Sequence, residues 1–251
     1  MEVIGIKTPL IEPGEDLVEI ILESIESEEK LRDNDVLVIA SSAVSTAQKR
    51  IREIPEATPS DEAKELSRKS GLDEKFIEII LRESDEILAP SEKSILTLKD
   101  GMLRINAGVD RTNVPSGLAL LVPENPELEA RRLRDKLEEK TGKKLGVIIS
   151  DSHVHPLRLG TTGQSLGSSG IKEALDCRNR KDLYGRKLQI TFRGIGDQIA
   201  AAAQLVMGEA DESIPAVIVR GAYAAFSDEP EKSLKVPPEK CVYSKFFEND
   251  E

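Results

Sequence analysis

An apolar run that ends in a polar, glycine-rich stretch constrains this chain more than any other feature. Residues 145–149 read Leu-Gly-Val-Ile-Ile, and an apolar run without alternation is typical of a strand covered on both faces. The run leads into Ser150, Asp151 and Ser152, and the residues up to 170 include both histidines and several glycines. A carboxylate fixed by a buried strand and followed by a glycine-rich loop can hold a metal ion against a phosphate. The alternative, in which Asp151 only binds backbone amides of its own loop, remains open.

Composition places the chain among soluble globular proteins. Its 251 residues are 39% hydrophobic, which suffices for one large domain or two small ones. Charged residues make up 32% and the net charge is −11, which argues against a general nucleic-acid-binding protein. No apolar stretch approaches the roughly 20 residues of a membrane span, and the two cysteines have no ligand spacing. We therefore expect a cytoplasmic protein with reduced thiols and no membrane partner.

The hydrophobic periodicity predicts both strands and helices, and hence a mixed α+β fold. A second buried strand at residues 35–40 ends at Ser41 and Ser42, ahead of a helix at 43–50. These serines either contact a nucleotide or cap the helix through their hydroxyls. The pair Asp100 and Gly101 predicts a type I′ turn. The turn joins strands at 95–99 and 102–105. Other strands are predicted at 3–6, 118–122, 188–192 and 214–219. Other helices are predicted at 16–25, 59–70 with Thr58 as its cap, 73–84, 126–141 and 198–207.

Two further polar segments lie at element boundaries. Asp110 and Asn113 follow the predicted hairpin, and an acidic turn at 208–213 precedes a predicted strand. Asp110, Asp151 and Glu209 would repel one another unless a divalent cation neutralised them, and oxygen ligands suit Mg²⁺ or Mn²⁺ better than Zn²⁺. Phosphoryl transfer is the natural chemistry of such a group. The sequence contains no Walker, dinucleotide-binding or kinase motif, so an ordinary nucleotide-binding fold is not supported.

The order and spacing of several segments over about residues 3–221 resemble the coenzyme F420-0:L-glutamate ligase family. These segments are residues 9–11 with Gly14 and Asp16, 35–41, 106–110 with Asn113, 150–152, 181–186 and 207–221. The resemblance implies an archaeal enzyme with an unusual mixed α/β fold of mixed sheets and packed helices, assembled as a homodimer. It implies one ligase-like domain over residues 1–225, as a single body or as two intertwined subdomains, and a polar tail over 226–251.

The same resemblance implies a function and a set of site residues. Members of the family add L-glutamate to the carboxylate of F420-0 through an acyl phosphate, with GTP as co-substrate and Mn²⁺ or Mg²⁺. Asp110 and Asp151 resemble the catalytic metal ligands, with Ser152 beside them. His153, His155 and Arg158 lie where a substrate or phosphate contact is expected. The residues that match nucleotide-binding segments are Pro9, Leu10, Ile11, Glu12, Ser41, Ser42, Asn113, Met207, Gly208, Glu209, Ala210, Asp211, Glu212 and Ser213.

Departures from the family pattern leave three interpretations open. Thr46 stands where the family has a lysine expected to contact phosphate, and His153 and His155 fall within a segment that is commonly Thr-x-Gly-Arg. The chain is therefore the F420-0 ligase, or a paralogous ligase for another carboxylate or nucleotide, or a non-catalytic protein that binds nucleotide or metal. Retention of Asp110, Asn113 and Asp151 favours the two enzymes over the third interpretation.

Overall fold

The computed structural model describes residues 1–25, 29–228 and 234–243. The chain forms two compact units. Unit 1 comprises Met1–Ala47 and Glu124–Leu234, and unit 2 comprises Gln48–Pro123 and Lys235–Glu251. Helices and strands occur in both, so the predicted mixed α/β class is confirmed.

Twelve strands and six α-helices lie in the described ranges, numbered in chain order. The strands are β1 (Glu2–Ile6), β2 (Val36–Ala40), β3 (Ile51–Glu53), β4 (Glu86–Ser91), β5 (Ser94–Lys99), β6 (Met102–Ile105), β7 (Leu118–Leu120), β8 (Gly146–Val154), β9 (Thr161–Ser169), β10 (Ala174–Asp176), β11 (Phe192–Gly194) and β12 (Ala216–Arg220). The α-helices are α1 (Leu17–Ser24), α2 (Ser41–Ala47), α3 (Asp61–Ser70), α4 (Glu74–Glu83), α5 (Pro126–Thr141) and α6 (Ile195–Met207). Short 3₁₀ helices cover Ile54–Glu56, Asn106–Gly108 and Pro238–Lys240.

Unit 1 is built on a five-stranded sheet with the order β1-β12-β2-β8-β9. Strands β2 and β8 are parallel, and the other neighbours are antiparallel. The central strands are buried on both faces, which is why their sequences are continuously apolar. Helix α6 contributes Ile199 and Ala203 to the core formed with Val38, Ile148 and Val217. This core fixes the sheet whose end carries the candidate site.

The glycine-rich stretch after Ser150 forms a hairpin, so its prediction as a loop is wrong. Strand β8 continues to Val154, and β9 returns beside it from Thr161. A Cβ atom on Gly163 would lie 2.5 Å from the Ala200 carbonyl carbon of α6, and one on Gly167 would lie 2.5 Å from the Glu127 nitrogen of α5. These glycines are therefore required by close helix–strand packing, a tertiary constraint that the local pattern does not reveal.

Unit 2 contains a three-stranded sheet, β4-β5-β6, and the pair β3-β7. Asp100 and Gly101 have φ angles of 51° and 71°, and the predicted hairpin between β5 and β6 is confirmed. Strand β4 was not predicted; it contains Pro90, which the edge of a sheet tolerates. Helices α3 and α4 cover a core in which Phe76 and Ile95 are buried.

Several predicted boundaries are corrected. Helix α3 is capped by the Ser60 hydroxyl, which accepts a hydrogen bond from the Ala63 amide, and Thr58 is not the cap. The helix predicted at 43–50 begins at Ser41 and ends at Ala47. The predicted strand at 188–192 is wrong except at its last residue, because the alternating side chains there, such as Ile190, face solvent.

Candidate active site

The parallel pair β2 and β8 brings two predicted site residues into contact. Ala40 lies opposite Ser150 where the pairing of β2 with β8 ends; Ser41 then begins α2, whereas Asp151 continues in β8 and pairs with Gln164 of β9. The Ser41 hydroxyl donates to Asp151 Oδ1 over 2.8 Å, and the Ser152 amide donates to the same oxygen over 3.1 Å. Ser41 is buried and Asp151 is half-buried. The Asp151 carboxylate is thus held both by Ser41, which follows the neighbouring strand, and by the backbone of Ser152. The alternative in which Asp151 binds only backbone amides of its own loop therefore does not account for all of its contacts.

Two other predicted nucleotide segments lie at this end of the sheet. The Thr8 amide, which precedes residues 9–12, donates to the Ser213 carbonyl over 3.1 Å. The Ala40 amide donates to the Pro215 carbonyl over 2.8 Å. The strands that carry these residues are adjacent, since β12 lies between β1 and β2. Residues 9–12, residues 207–213 and Ser41 therefore collect along one end of unit 1.

The acidic turn after α6 is ordered by its own contacts. Glu209 Oε1 accepts hydrogen bonds from the Thr161 hydroxyl, over 2.6 Å, and from the Gln204 side-chain amide. The Glu212 carboxylate accepts from the Ala210 amide over 2.8 Å, and backbone N–H groups around it lower its pKa. Both acids point at partners within the turn or the hairpin. Gly208, with φ of 71°, ends α6 and begins the turn.

The two histidines have neighbours on the hairpin. Their rings make an edge-to-face contact with centroids 5.4 Å apart, and His155 Nε2 lies 2.6 Å from the Thr162 hydroxyl. His153 lies two residues after Asp151 on β8, so both project from the same face of the strand. Arg158 is exposed, and its amide donates to the His155 carbonyl over 3.2 Å. A contact of these three residues with phosphate or substrate stays a prediction.

Asp110 and Asn113 belong to unit 2. Backbone hydrogen bonds of 2.9 and 2.8 Å join Asp110 to Leu120 in both directions. Its carboxylate accepts from the Arg111 and Thr112 amides, over 2.6 and 3.0 Å, and from the Thr112 hydroxyl. Asn113 is exposed, with φ of 53°. The convergence of Asp110 with Asp151 stays a prediction.

In the described part of the chain, protein side chains alone do not assemble a metal site. Within the ranges that the structure describes, no three or more His, Cys, Asp and Glu side chains form a group that could hold a metal ion. The donors around Asp151 are carboxylate and hydroxyl oxygens, which suit a hard cation such as Mg²⁺ or Mn²⁺. A bound ion would need further oxygen ligands, from substrate phosphates or water, as is usual for Mg²⁺.

Sequence reasoning missed two acids, the buried Glu173 and the half-buried Asp197, that fix the strand beside Asp151. Ser165 lies opposite Ser150; its amide donates to Asp197 over 2.9 Å and its hydroxyl to Glu173 over 2.5 Å. Burial raises the pKa of both carboxyl groups. Glu173 lies in a polar segment and Asp197 in the first turn of a helix, where an acid is ordinary, so no local signal distinguished them.

The family description that matches residues 5–221 is F420-0:Gamma-glutamyl ligase. A Coenzyme F420:L-glutamate ligase of Methanopyrus kandleri is 45% identical over 212 residues, covering 84% of this chain and 82% of the relative. The protein of that name in Methanocaldococcus jannaschii is 39% identical over 244 residues, covering 97% and 96%. A third relative, from Archaeoglobus fulgidus, is 42% identical over 213 residues, covering 85% and 84%.

These similarities place the chain in a class of ligases. The chain belongs to the F420-0:gamma-glutamyl ligase family, and the resemblance found in its motifs is confirmed. None of the helices in the described ranges has the length and apolar character that a membrane crossing requires.

Proposed function

We propose that the chain joins L-glutamate to the carboxylate of coenzyme F420-0 in a GTP-dependent reaction. The names of the family and of the relatives support L-glutamate and the F420-0 acceptor as reactants, and GTP is proposed from the motif resemblance. The contact between Ser41 and Asp151 carries the assignment to this chain. That contact fixes a carboxylate at the point where the parallel pairing of β2 with β8 ends, and backbone segments 9–12 and 207–213 lie at the same end of the sheet. Sites of phosphoryl chemistry in sheets with parallel strands are commonly found at such strand ends.

The reaction is expected to proceed in two steps. An oxygen of the acceptor carboxylate attacks the γ-phosphorus of GTP, the bond to the β,γ-bridging oxygen breaks, and GDP leaves. The amine of glutamate then attacks the carbonyl carbon of the acyl phosphate, loses a proton and displaces inorganic phosphate. The product is an amide, and no covalent bond to the protein is formed. This stoichiometry makes GDP and phosphate measurable products in equal amounts.

The residues of the chain have separate roles in this proposal. Asp151 with Ser152 in unit 1, and Asp110 in unit 2, are proposed as oxygen ligands for divalent cations, which neutralise charge on the transferring phosphoryl group when bound. Ser41 holds the Asp151 carboxylate in one orientation through its hydroxyl. Thr161 similarly fixes Glu209 at the border of the nucleotide segment.

The test is a reaction of the full chain with GTP, F420-0 and L-glutamate in the presence of Mn²⁺ or Mg²⁺. We expect a glutamylated product by mass spectrometry and one GDP for each amide. Asp151→Asn should abolish the product because the amide removes the negative charge that a cation needs. Asp135→Asn, which changes an exposed acid of α5, is the matched control and should retain activity.

Ser41→Ala is a finer probe of the same contact. Loss of a group that orients a metal ligand typically costs about 10-fold to 100-fold in metal affinity or activity. A thermal shift series with GTP and ATP, each with and without Mn²⁺, would show the nucleotide preference directly. No stabilisation by any nucleotide, in protein that unfolds cooperatively, would reject the proposal. Stabilisation by nucleotide without product would instead indicate another acceptor carboxylate.

The homodimer implied by the family resemblance is part of the proposal. Light scattering on the full chain should give a mass of twice 27.6 kDa. A monomeric mass in the presence of substrates, with activity retained, would remove the dimer from the proposal and leave the chemistry standing.

A further inference from the structure

A cavity within unit 2 lies beside the carboxylate of Asp110. Its volume is about 490 Å³, which is in the range of pockets that hold a whole small molecule. The apolar part of its lining includes Phe76 and Val109, and its polar part includes Lys93 and Arg111. The cavity therefore combines an apolar surface with two cationic side chains.

Both cations are exposed, and neither is within ion-pair distance of an acid in the part of the chain that the structure describes. This holds although the chain carries a net charge of −11. The Arg111 guanidinium lies 4.2 Å from the centre of the Phe76 ring, so it is held against the apolar part of the lining. Acidic side chains outnumber basic ones in this protein, yet Lys93 and Arg111 form no ion pair in the cavity. Two such positive charges in one cavity indicate an anionic ligand.

Asp110 lies beside these cations but is turned toward its own loop. Its oxygens accept hydrogen bonds from the Arg111 and Thr112 amides and from the Thr112 hydroxyl. These bonds fix the start of the segment that carries the Arg111 side chain. The guanidinium is therefore positioned from both ends, by its backbone and by the Phe76 ring.

We propose that this cavity binds a carboxylate-bearing substrate, with Lys93 and Arg111 receiving the carboxylate and the Phe76 side contacting the carbon skeleton. The proposal rests on the proposed function, because Asp110 is one of the residues assigned to that reaction. A guanidinium pairs with a carboxylate through two parallel hydrogen bonds, which gives orientation as well as affinity. Both L-glutamate and the acceptor carry this group, and the experiment separates them.

The experiment is a calorimetric titration of the full chain with L-glutamate and, separately, with F420-0, each without nucleotide. Arg111→Gln and Lys93→Gln remove one charge each and keep a polar side chain of similar length. Arg52→Gln, which changes an exposed arginine of β3 outside the cavity, is the matched control. We expect both cavity variants to bind one of the two ligands roughly 10-fold to 100-fold more weakly, the effect of losing a hydrogen bond to a charged group.

The outcomes are distinct. Weaker binding of L-glutamate alone assigns the cavity to the amino acid, and weaker binding of F420-0 alone assigns it to the acceptor. Unchanged affinities, an equal loss in Arg52→Gln, or no binding of either compound to the unaltered chain overturns the proposal. Thermal shift by GTP with Mn²⁺ is measured in parallel on the same variants. It should be unaffected, so its absence in the unaltered chain would count against the proposed function and not against the cavity.

Discussion

Replacing Gly163 with alanine tests how closely helix α6 packs on the strand beside the candidate site. Gly163 lies on β9 opposite Ser152. An added Cβ would lie 2.5 Å from the Ala200 carbonyl carbon and 2.8 Å from the Ala201 nitrogen, and closer still to the Ala200 oxygen. All of these atoms are backbone, so no side-chain rotation can relieve the clash. The helix and the strand must move apart instead.

The required movement sets the size of the effect. Ordinary contact begins at about 3.4 Å, so helix and strand must separate by about 1 Å. Helix α6 is buried against the sheet through Ile199 and Ala203, and such a separation loosens that core. Overpacking costs about 1–3 kcal/mol, and the upper part of this range is expected because the backbone is rigid. A loss of about 2–3 kcal/mol lowers Tm by roughly 4–12 °C for a chain of this length.

Differential scanning calorimetry of Gly163→Ala measures the stability loss, and a GTP and Mn²⁺ thermal shift measures the effect on the site. We expect both a lower Tm and a smaller shift, because a displaced β9 moves the strand partner of Ser152. Gly194→Ala is the matched control. Its added Cβ would have no neighbour nearer than 3.7 Å, and Gly194 has φ of −80°, which alanine adopts readily. Equal Tm values for Gly163→Ala and the unaltered chain would refute the packing argument.

Two further predictions concern buried charge. Burial raises the folded-state pKa of Glu173 above its unfolded value, so stability falls as pH rises from the ordinary glutamate range through the raised pKa. Glu173→Gln should flatten this dependence in urea unfolding at stepped pH; an unchanged slope would contradict the burial argument. Arg220→Met removes the guanidinium that pairs with Asp35, a residue only 1% exposed, and should cost about 3–5 kcal/mol in the same assay. Lys140→Gln breaks a more exposed pair, with Glu19, and should lower stability far less than Arg220→Met.

The part of the candidate site that contains Ser41 and Asp151 could be predicted from the sequence, because both residues follow apolar runs. The apolar run of β2 predicted its end correctly, so Ser41 follows a strand as expected; the apolar run of β8 ends at Ile149, but the strand continues to Val154, so Asp151 lies inside it. Their mutual contact was not predicted, because a strand pattern does not contain the register of its neighbour. The parallel pairing of Ala40 with Ser150 supplies that information.

The glycine-rich stretch shows why the remainder could not be predicted. Its threonines, serines and glycines have little apolar alternation, so the local pattern resembles a loop. Strand β9 forms because it pairs with β8 and because α5 and α6 pack closely over Gly167 and Gly163. A glycine required by a turn and a glycine required by close packing look alike in sequence. Only the position of the helices distinguishes them.

Helix α6 links these features into one mechanical unit. Its first turn carries Asp197, which holds the Ser165 amide of β9; its middle contacts Gly163; and its last turn carries Gln204, which holds Glu209. A rigid helix with three such attachments sets the distance between the strand beside Asp151 and the turn at 207–213. A displacement of the helix must therefore move β9 and the turn at 207–213 together. This coupling is why a methyl group at Gly163 is expected to weaken nucleotide binding as well as stability.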